Sequence, residues 1–379
     1  MLNSIYFRLS HTYFSYFAIL GVVAHYFGLY LSELGLSPLQ VGTILSVMTI
    51  GRIFGPFLWA NLADKKQNKR QIIRIGASLA LLFFIPLLFS HQFYLMLCSL
   101  TIFTLFWTAI LPQLESVCAA CYKGNAKLYS RTRVWGSISF TGLVMASGIA
   151  FEWLGVINTI EWATLSLLGL LVLSSWRLPQ DRRVVQAKQD VGSIKQTLLK
   201  PQVIMFYVAC FLLQLSFAAY YGFFSIYLTE LGYSGTQIGI LIAFGVLCEV
   251  LLFVKAGHIV QLWSLKWIFI GCYLASAVRW LTIGQWPEQF WLLLAAQSIH
   301  ALGYGLHHIA AQRFIRSQFP AKQQSRGQAI YVGATYGLGG AIGSISVGAM
   351  WDWNASATYV ISGLVALLAC LLTLKLQVK

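Results

Sequence analysis

The chain has 379 residues, of which 58% are hydrophobic and only 10% charged, and its mean hydropathy is +0.71. Its 26 Lys and Arg against 11 Asp and Glu leave a formal charge of +15. Soluble domains are about a quarter charged, so this composition excludes one, and it excludes a nucleic-acid binder that would carry its basic groups on a folded soluble surface. In hydrocarbon every backbone polar group must be satisfied within its own segment, and about 20 apolar residues span the core. Runs of that kind fall near 11–32, 39–61, 72–90, 93–118, 131–151 and 159–176, then near 203–228, 236–256, 267–286, 289–311, 327–350 and 355–374. They predict an all-α membrane protein with twelve transmembrane helices in two six-helix bundles. The first run is as long as a full span, lacks an A-x-A cleavage site and leads into further spans, so it reads as a helix that is retained.

The longest polar interval, Trp176–Gln202, separates the two sets. Arg177, Arg182, Arg183, Lys188, Lys195 and Lys200 stand in it against Asp181 and Asp190. The predicted division is an N-terminal bundle at 1–176, a basic linker at 177–202 and a C-terminal bundle at 203–379. Every Lys and Arg except Arg52 and Arg279 falls at one set of helix ends, in the linker or at the termini. The alternate loops carry Glu33, Glu152, Glu230, Glu288 and Asp352 and no basic residue. Basic residues stay on the cytoplasmic side, so both termini and the linker are predicted cytoplasmic, in a bacterial-type inner membrane. The excess charge then becomes an attraction to anionic lipids of that leaflet.

The seven cysteines lie within or at the ends of apolar runs and read as small buried hydrophobes. Cys118 and Cys121 form a C-x-x-C without the second pair a zinc site needs, and no metal is expected. Gly51 and Gly55 on the second run, and Gly333, Gly337, Gly339, Gly343 and Gly348 on the eleventh, predict close helix packing.

Ionisable groups inside spans cost about 2.5–3.5 kcal/mol each on insertion scales and are functional candidates by default. Arg52, Glu249, Arg279 and His300 lie deep; Glu115 and Arg133 lie nearer the cytoplasmic ends. Glu249 and Arg279, at mid-depth on neighbouring antiparallel spans, read either as a structural salt bridge or as a coupled pair. In the second reading burial and Arg279 pull the protonation of Glu249 in opposite directions, so a small movement can switch it. Gln297, His300, Tyr304 and His307 recur at steps of three and four, which puts them on one helix face; His300 can titrate near neutral pH. Arg52 has no acidic residue of its own span beside it and either pairs elsewhere or faces an anionic solute. Gln214, Tyr221 and Ser225 follow at helical steps on the seventh span. The chain has no G-x-x-x-x-G-K-[ST], G-x-S-x-G or H-E-x-x-H. No cofactor is expected, and a proton gradient is the economical source of energy.

After the second span, Asn61–Arg70 (NLADKKQNKR) resembles the G-x-L-A-D-R-x-G-R-K loop of the major facilitator superfamily. Asp64, Lys65 and Arg70 fit this conformational loop, while Asn61 and Asn68 replace its two glycines. Pro320–Ala329 resembles the P-x-x-x-R-G-x-A stretch before the eleventh span. Phe217–Ser234, Gly245–Phe253, Ala277–Trp280 and Gln297–Ile315 are similar to the 3-phenylpropionic acid permease group of proton symporters, and more distantly to lactose permease. The resemblance implies the major facilitator fold and proton-coupled symport of a small aromatic monocarboxylate by alternating access. It implies a pair across substrate of Glu115 with Arg133 eighteen residues on, and it matches Arg279 and His300 to residues of lactose permease. Taken with the spans' own residues, the candidate substrate contacts are Arg52, Glu115, Arg133, Gln214 and Tyr221, and the candidate proton-coupling groups are Glu249, Arg279 and His300. The coupling Glu that lactose permease carries three residues after its histidine is here Gly303, which leaves Glu249 as the deep carboxylate of the second half. A proton-coupled sugar or nucleoside symporter is the alternative, because an ion pair offers a polyhydroxyl ligand both donors and acceptors. Outside transport, a membrane enzyme lacks a visible catalytic constellation, and a substrate sensor would need a larger output domain than this linker and tail. The expected partners are a small organic solute, protons and lipid, with no nucleic acid, and the protein is expected to act as a monomer.

Overall fold

The computed structural model describes all residues except Met1, Gln67, Gly124, 180–192 and 377–379; the side chains of Leu2, Asn3, Pro56, Phe57 and 60–66 also lie outside the description. The described chain is helical throughout, without strands. In the first half the helices are α1 (Leu2–Val23), α2 (Phe27–Glu33), α3 (Pro38–Lys66), α4 (Lys69–Phe84), α5 (Phe93–Trp107), α6 (Ile110–Tyr122), α7 (Ala126–Leu154) and α8 (Val156–Trp176). A short α9 (Lys195–Leu198) follows. Then come α10 (Pro201–Ser216), α11 (Ala218–Glu230), α12 (Gly235–Leu262), α13 (Leu265–Gln285), α14 (Phe290–Ser298), α15 (His307–Gln318), α16 (Gln324–Tyr331), α17 (Gly340–Met350) and α18 (Ala355–Leu374). Among the described residues nine helical stretches are long and apolar enough to cross a membrane, ten if Ser4–Val23 and Phe27–Glu33, bent by 48°, form one span. Pro38–Lys66, part of whose side chains lies outside the description, and Phe290–Gln318, which carries three histidines, are the remaining two, and with them the arrangement fits the expected twelve.

Contacts divide the chain into two units, Met1–Gln186 with Ser234–Gly239, and Ala187–Tyr233 with Ile240–Lys379. Most of the predicted linker, with Asp181, Arg182, Arg183, Lys188 and Asp190, lies outside the described residues.

Several spans are interrupted rather than straight. The first breaks between α1 and α2, the fourth at Thr108–Ala109 between α5 and α6, and the seventh at Phe217 between α10 and α11. The tenth contains a π-helical segment, Ala301–Leu306, and the eleventh another, Val332–Gly339. The breaks in the first and fourth spans recur in the seventh and tenth, the corresponding positions of the second half. Interrupted helices at matching places in two halves free backbone groups and are a mark of binding sites in carriers, and π segments often accompany function.

Local sequence explains the helix ends. Asn68, Asn125 and Asn354 accept the backbone N–H three residues on (3.0, 3.1 and 2.8 Å) and so cap α4, α7 and α18. Asn68, which replaces a glycine of the superfamily loop, thus serves as a cap. Gly155 joins α7 to α8 at φ +75°, a conformation that side chains with a Cβ resist. On the eleventh span, a Cβ on Gly343 would come 2.8 Å from the Leu215 carbonyl, so this glycine lets α17 lie against the seventh span. The close packing expected at the glycines of the eleventh span is what the geometry at Gly343 describes.

Candidate functional site

The second unit holds a buried polar chain in an aromatic box. Arg279 on α13 is 1% exposed. One of its Nη groups donates to Gln297 Oε1 at 2.7 Å, and the other lies 3.0 Å from His300 Nδ1. A guanidinium can only donate, so Nδ1 must accept, and the imidazole proton resides on Nε2. That Nε2 faces Glu249 Oε2 of α12 at 3.4 Å, longer than a formed hydrogen bond. The guanidinium carbon also sits 4.0 Å from the Tyr220 ring centroid and 4.5 Å from that of Trp280, whose π faces help offset a buried cation.

Of the two readings of Glu249 and Arg279, the direct salt bridge is not formed: no ion pair joins them among the described residues. His300 stands between: the two Nη groups of Arg279 are directed at His300 and Gln297, while its Nε has no hydrogen-bond partner among the described residues. Glu249 lies within electrostatic reach of both Arg279 and His308. Its side chain packs beside Gly305, where a Cβ would come 3.0 Å from Glu249 Cγ. Gly303 backs onto Ser276 and Phe217, and a Cβ there would collide with the Ser276 hydroxyl. No carboxylate fits at 303 without moving Ser276, and the acidic group arrives from α12 instead.

Gln297, His300 and His307 all face α13: Gln297 and His300 meet Arg279, and His307 meets Tyr273 (3.3 Å) as well as Cys210 of α10 (3.7 Å), in keeping with the shared helix face expected for them although the π segment lies between. Tyr304 stacks on His300 with centroids 5.3 Å apart. On the seventh span a turn at Phe217 lies between Gln214 on α10 and Tyr221 on α11, and both residues lie toward Tyr304. Gln214 borders a narrow polar gap with Cys210, Tyr304, His307 and Tyr336. Tyr221 rests edge-on to Tyr304 (6.2 Å) and stacks on Phe217 (6.0 Å).

The first unit holds a separate group. Arg133 Nε lies 3.6 Å from Glu115 Oε1, with half of the Arg133 side chain exposed. Tyr129, one turn before Arg133, donates its hydroxyl to Glu115 Oε2 and accepts from Arg133 Nη1 at 3.4 Å. Tyr13 of α1 is buried next to Glu115 and Cys118. Arg52 is exposed on α3, within electrostatic reach of Tyr16, whose ring stacks on Trp107 at 4.4 Å. The side chains of Asp64 and Lys65 lie outside the described residues. Arg70 is described: it donates to the Leu178 carbonyl (3.4 Å), and with Arg74, which donates to the Trp176 carbonyl (2.9 Å), it supports the carboxyl end of α8.

Sequence reasoning passed over two features. Tyr129 was findable as the residue four before Arg133 on a helix. Glu161, on α8, is 7% exposed, accepts from the Tyr30 hydroxyl at 2.9 Å and lies 3.4 Å from His91 Nε2. Its place near the start of an apolar run was the available signal. Among the described residues no three His, Cys, Asp or Glu converge as metal ligands.

Broken helices in both halves and a buried charge chain in the second are the anatomy of a secondary carrier, and the comparisons agree. The model of the MFS_1 like family matches residues 6–361, and the chain belongs to this family of major facilitator transporters. It is 27% identical over 365 residues to the "probable 3-phenylpropionic acid transporter" of Escherichia coli (strain K12), covering 95% of each chain. It is 24% identical to the maltose permease of Geobacillus stearothermophilus, covering 96% of this chain and 92% of that one. A crystal structure of a variant of the nucleoside transporter NupG superposes with a TM-score of 0.90 at 15% identity, covering 98% of this chain and 99% of that one, a likeness of fold. The protein is a multi-pass membrane secondary transporter, and its relatives and structural neighbours are transporters rather than enzymes.

Proposed function

We propose that this transporter is a proton symporter of a small aromatic monocarboxylate, working by alternating access in a bacterial-type inner membrane with both termini and the linker cytoplasmic. The observation that carries the reading is the buried run Gln297–Arg279–His300–Glu249, in which one titratable carboxylate is linked through an imidazole to a fixed cation. A proton on Glu249 neutralises the carboxylate; its departure leaves a charge that His300 and Arg279 can stabilise. Conformation then decides which state is favoured, because the 3.4 Å contact can tighten or open. The name of the 27% identical relative supports an aromatic acid as solute. Arg52, Glu115 and Arg133 in the first unit, and Gln214 and Tyr221 in the second, are the proposed substrate-binding residues. Asp64, Lys65 and Arg70 are the proposed conformational loop, and the proton gradient, without a cofactor, is the proposed energy source. The proposed working unit is the monomer.

Glu115 and Arg133 favour a second reading. Paired with each other and bridged by Tyr129, they present acceptors and donors side by side, as a sugar or nucleoside hydroxyl array requires. Counterflow in proteoliposomes decides between the two. Preloaded 3-phenylpropionate should drive uptake of labelled 3-phenylpropionate, and maltose or uridine should not. Exchange with maltose or uridine alone would replace the first reading by the second.

A further inference from the structure

Outside the charge groups already described, the first unit has a groove of about 470 Å³ where α1, α7 and α8 meet, within the size range of small-molecule sites. Its floor is one face of α1: Phe7, Ser10, His11 and Phe14 recur at steps of three, one and three. Trp135 of α7 forms one wall, and Leu170 and Ser174 of α8 form the other. Both walls are fixed in advance. Trp135 donates from its indole nitrogen to the Tyr6 hydroxyl at 2.9 Å. The end of α8 is held by Arg74, whose guanidinium covers the Trp176 ring at 4.4 Å.

The groove is apolar along its length and cationic at its mouth. Arg8 and Arg177 both line it and are exposed, His11 lies beside them, and among the described residues no Asp or Glu borders it. Neither guanidinium has a carboxylate within ion-pair distance among the described residues. Ser10, only 5% exposed, lines the groove, and its hydroxyl has no hydrogen-bond partner. A buried hydroxyl without a partner costs free energy, and a ligand oxygen entering the groove would relieve it.

We infer that this groove is a specific site for an anionic phospholipid, its phosphate held between Arg8 and Arg177 and one acyl chain laid along Phe14, Trp135 and Leu170. A guanidinium pair matches a phosphate diester better than it matches a zwitterionic headgroup, whose own cation competes. The acyl chain supplies the apolar contact that a free phosphate would lack. The site is distinct from the general attraction of a basic surface for anionic lipid, because it combines two cations, an apolar trough and an orphaned hydroxyl in one place.

Native mass spectrometry of the full-length protein in detergent, titrated with dioleoylphosphatidylglycerol or dioleoylphosphatidylcholine, tests the site. Phosphatidylglycerol is expected to bind tighter, and Arg8→Gln with Arg177→Gln to weaken it about tenfold while leaving phosphatidylcholine unchanged. Leu170→Trp, which keeps every charge but fills the trough, should weaken phosphatidylglycerol as well. Lys255→Gln with Lys266→Gln removes the same charge elsewhere and should change nothing. An equal loss in that control would reduce the effect to diffuse attraction and overturn the site. So would unchanged binding by Leu170→Trp or by the arginine double variant. Full competition by millimolar glycerol 1-phosphate would overturn the lipid assignment in favour of a soluble phosphate.

Discussion

Glu249, His300 and Arg279 owe their arrangement to a rule of hydrogen bonding: a guanidinium donates and never accepts. Once Arg279 donates to His300 Nδ1, the histidine has one tautomer available, and its remaining proton points to Glu249. Glu249→Gln keeps the size of the side chain and its hydrogen bonding but removes its titration. It should abolish uphill, proton-driven accumulation while preserving solute exchange, which moves no net proton. Full accumulation by this variant would sink the coupling role, and loss of both activities would reduce the group to a structural one. In the first unit, Glu115→Ala and Arg133→Ala should each lower solute affinity at least tenfold, since a charged hydrogen bond is worth about 1.5–3 kcal/mol. Both proteins should still reach the membrane folded, because half of the Arg133 side chain is exposed and a freed partner can be solvated. Normal binding by Arg133→Ala would remove the pair from the solute site.

At the scale of elements, the interruptions matter more than the helices. The π segment Ala301–Leu306 carries two glycines, and at Gly303 the tenth span lies against Ser276 of α13. Gly303→Ala should therefore cost about 1–3 kcal/mol as overpacking. Ser276→Ala in the same chain should recover most of that loss, read as thermal unfolding in detergent; no recovery would mean that the backbone of the segment, rather than the hydroxyl, resists the change. Glu161 gives a second test. The Tyr30 hydroxyl satisfies a carboxylate that, among the described residues, is otherwise reached only by His91. Tyr30→Phe should destabilise the first unit by about 1–3 kcal/mol, the cost of leaving a buried acceptor short of a donor. An unchanged melting temperature would show that His91 alone suffices.

For the whole molecule, the segregation of Lys and Arg predicts that reporters fused after Lys66, Gln186 and Lys322 are cytoplasmic. Those after Gly35, Tyr233 and Trp353 should be periplasmic. A periplasmic report from the Gln186 fusion would reverse the orientation. The spans, their two sets and the rarity of charge within them are legible in the sequence, because transfer into hydrocarbon is priced residue by residue and needs no partner. For that reason Arg52, Glu115, Arg133, Glu249, Arg279 and His300 could be singled out before any coordinate. Which of them touch was not legible. How deep the spans sit against one another around the turn at Phe217 and the π segment before His307 decides the contacts, and α-helical spacing alone does not encode either interruption. Only the packed structure decided that His300 stands between Glu249 and Arg279, that Tyr129 bridges Glu115 and Arg133, and that Glu161 is buried against Tyr30. Hydropathy is a local property of a segment, whereas a contact between spans is set by how several helices, broken where they are, fit against one another.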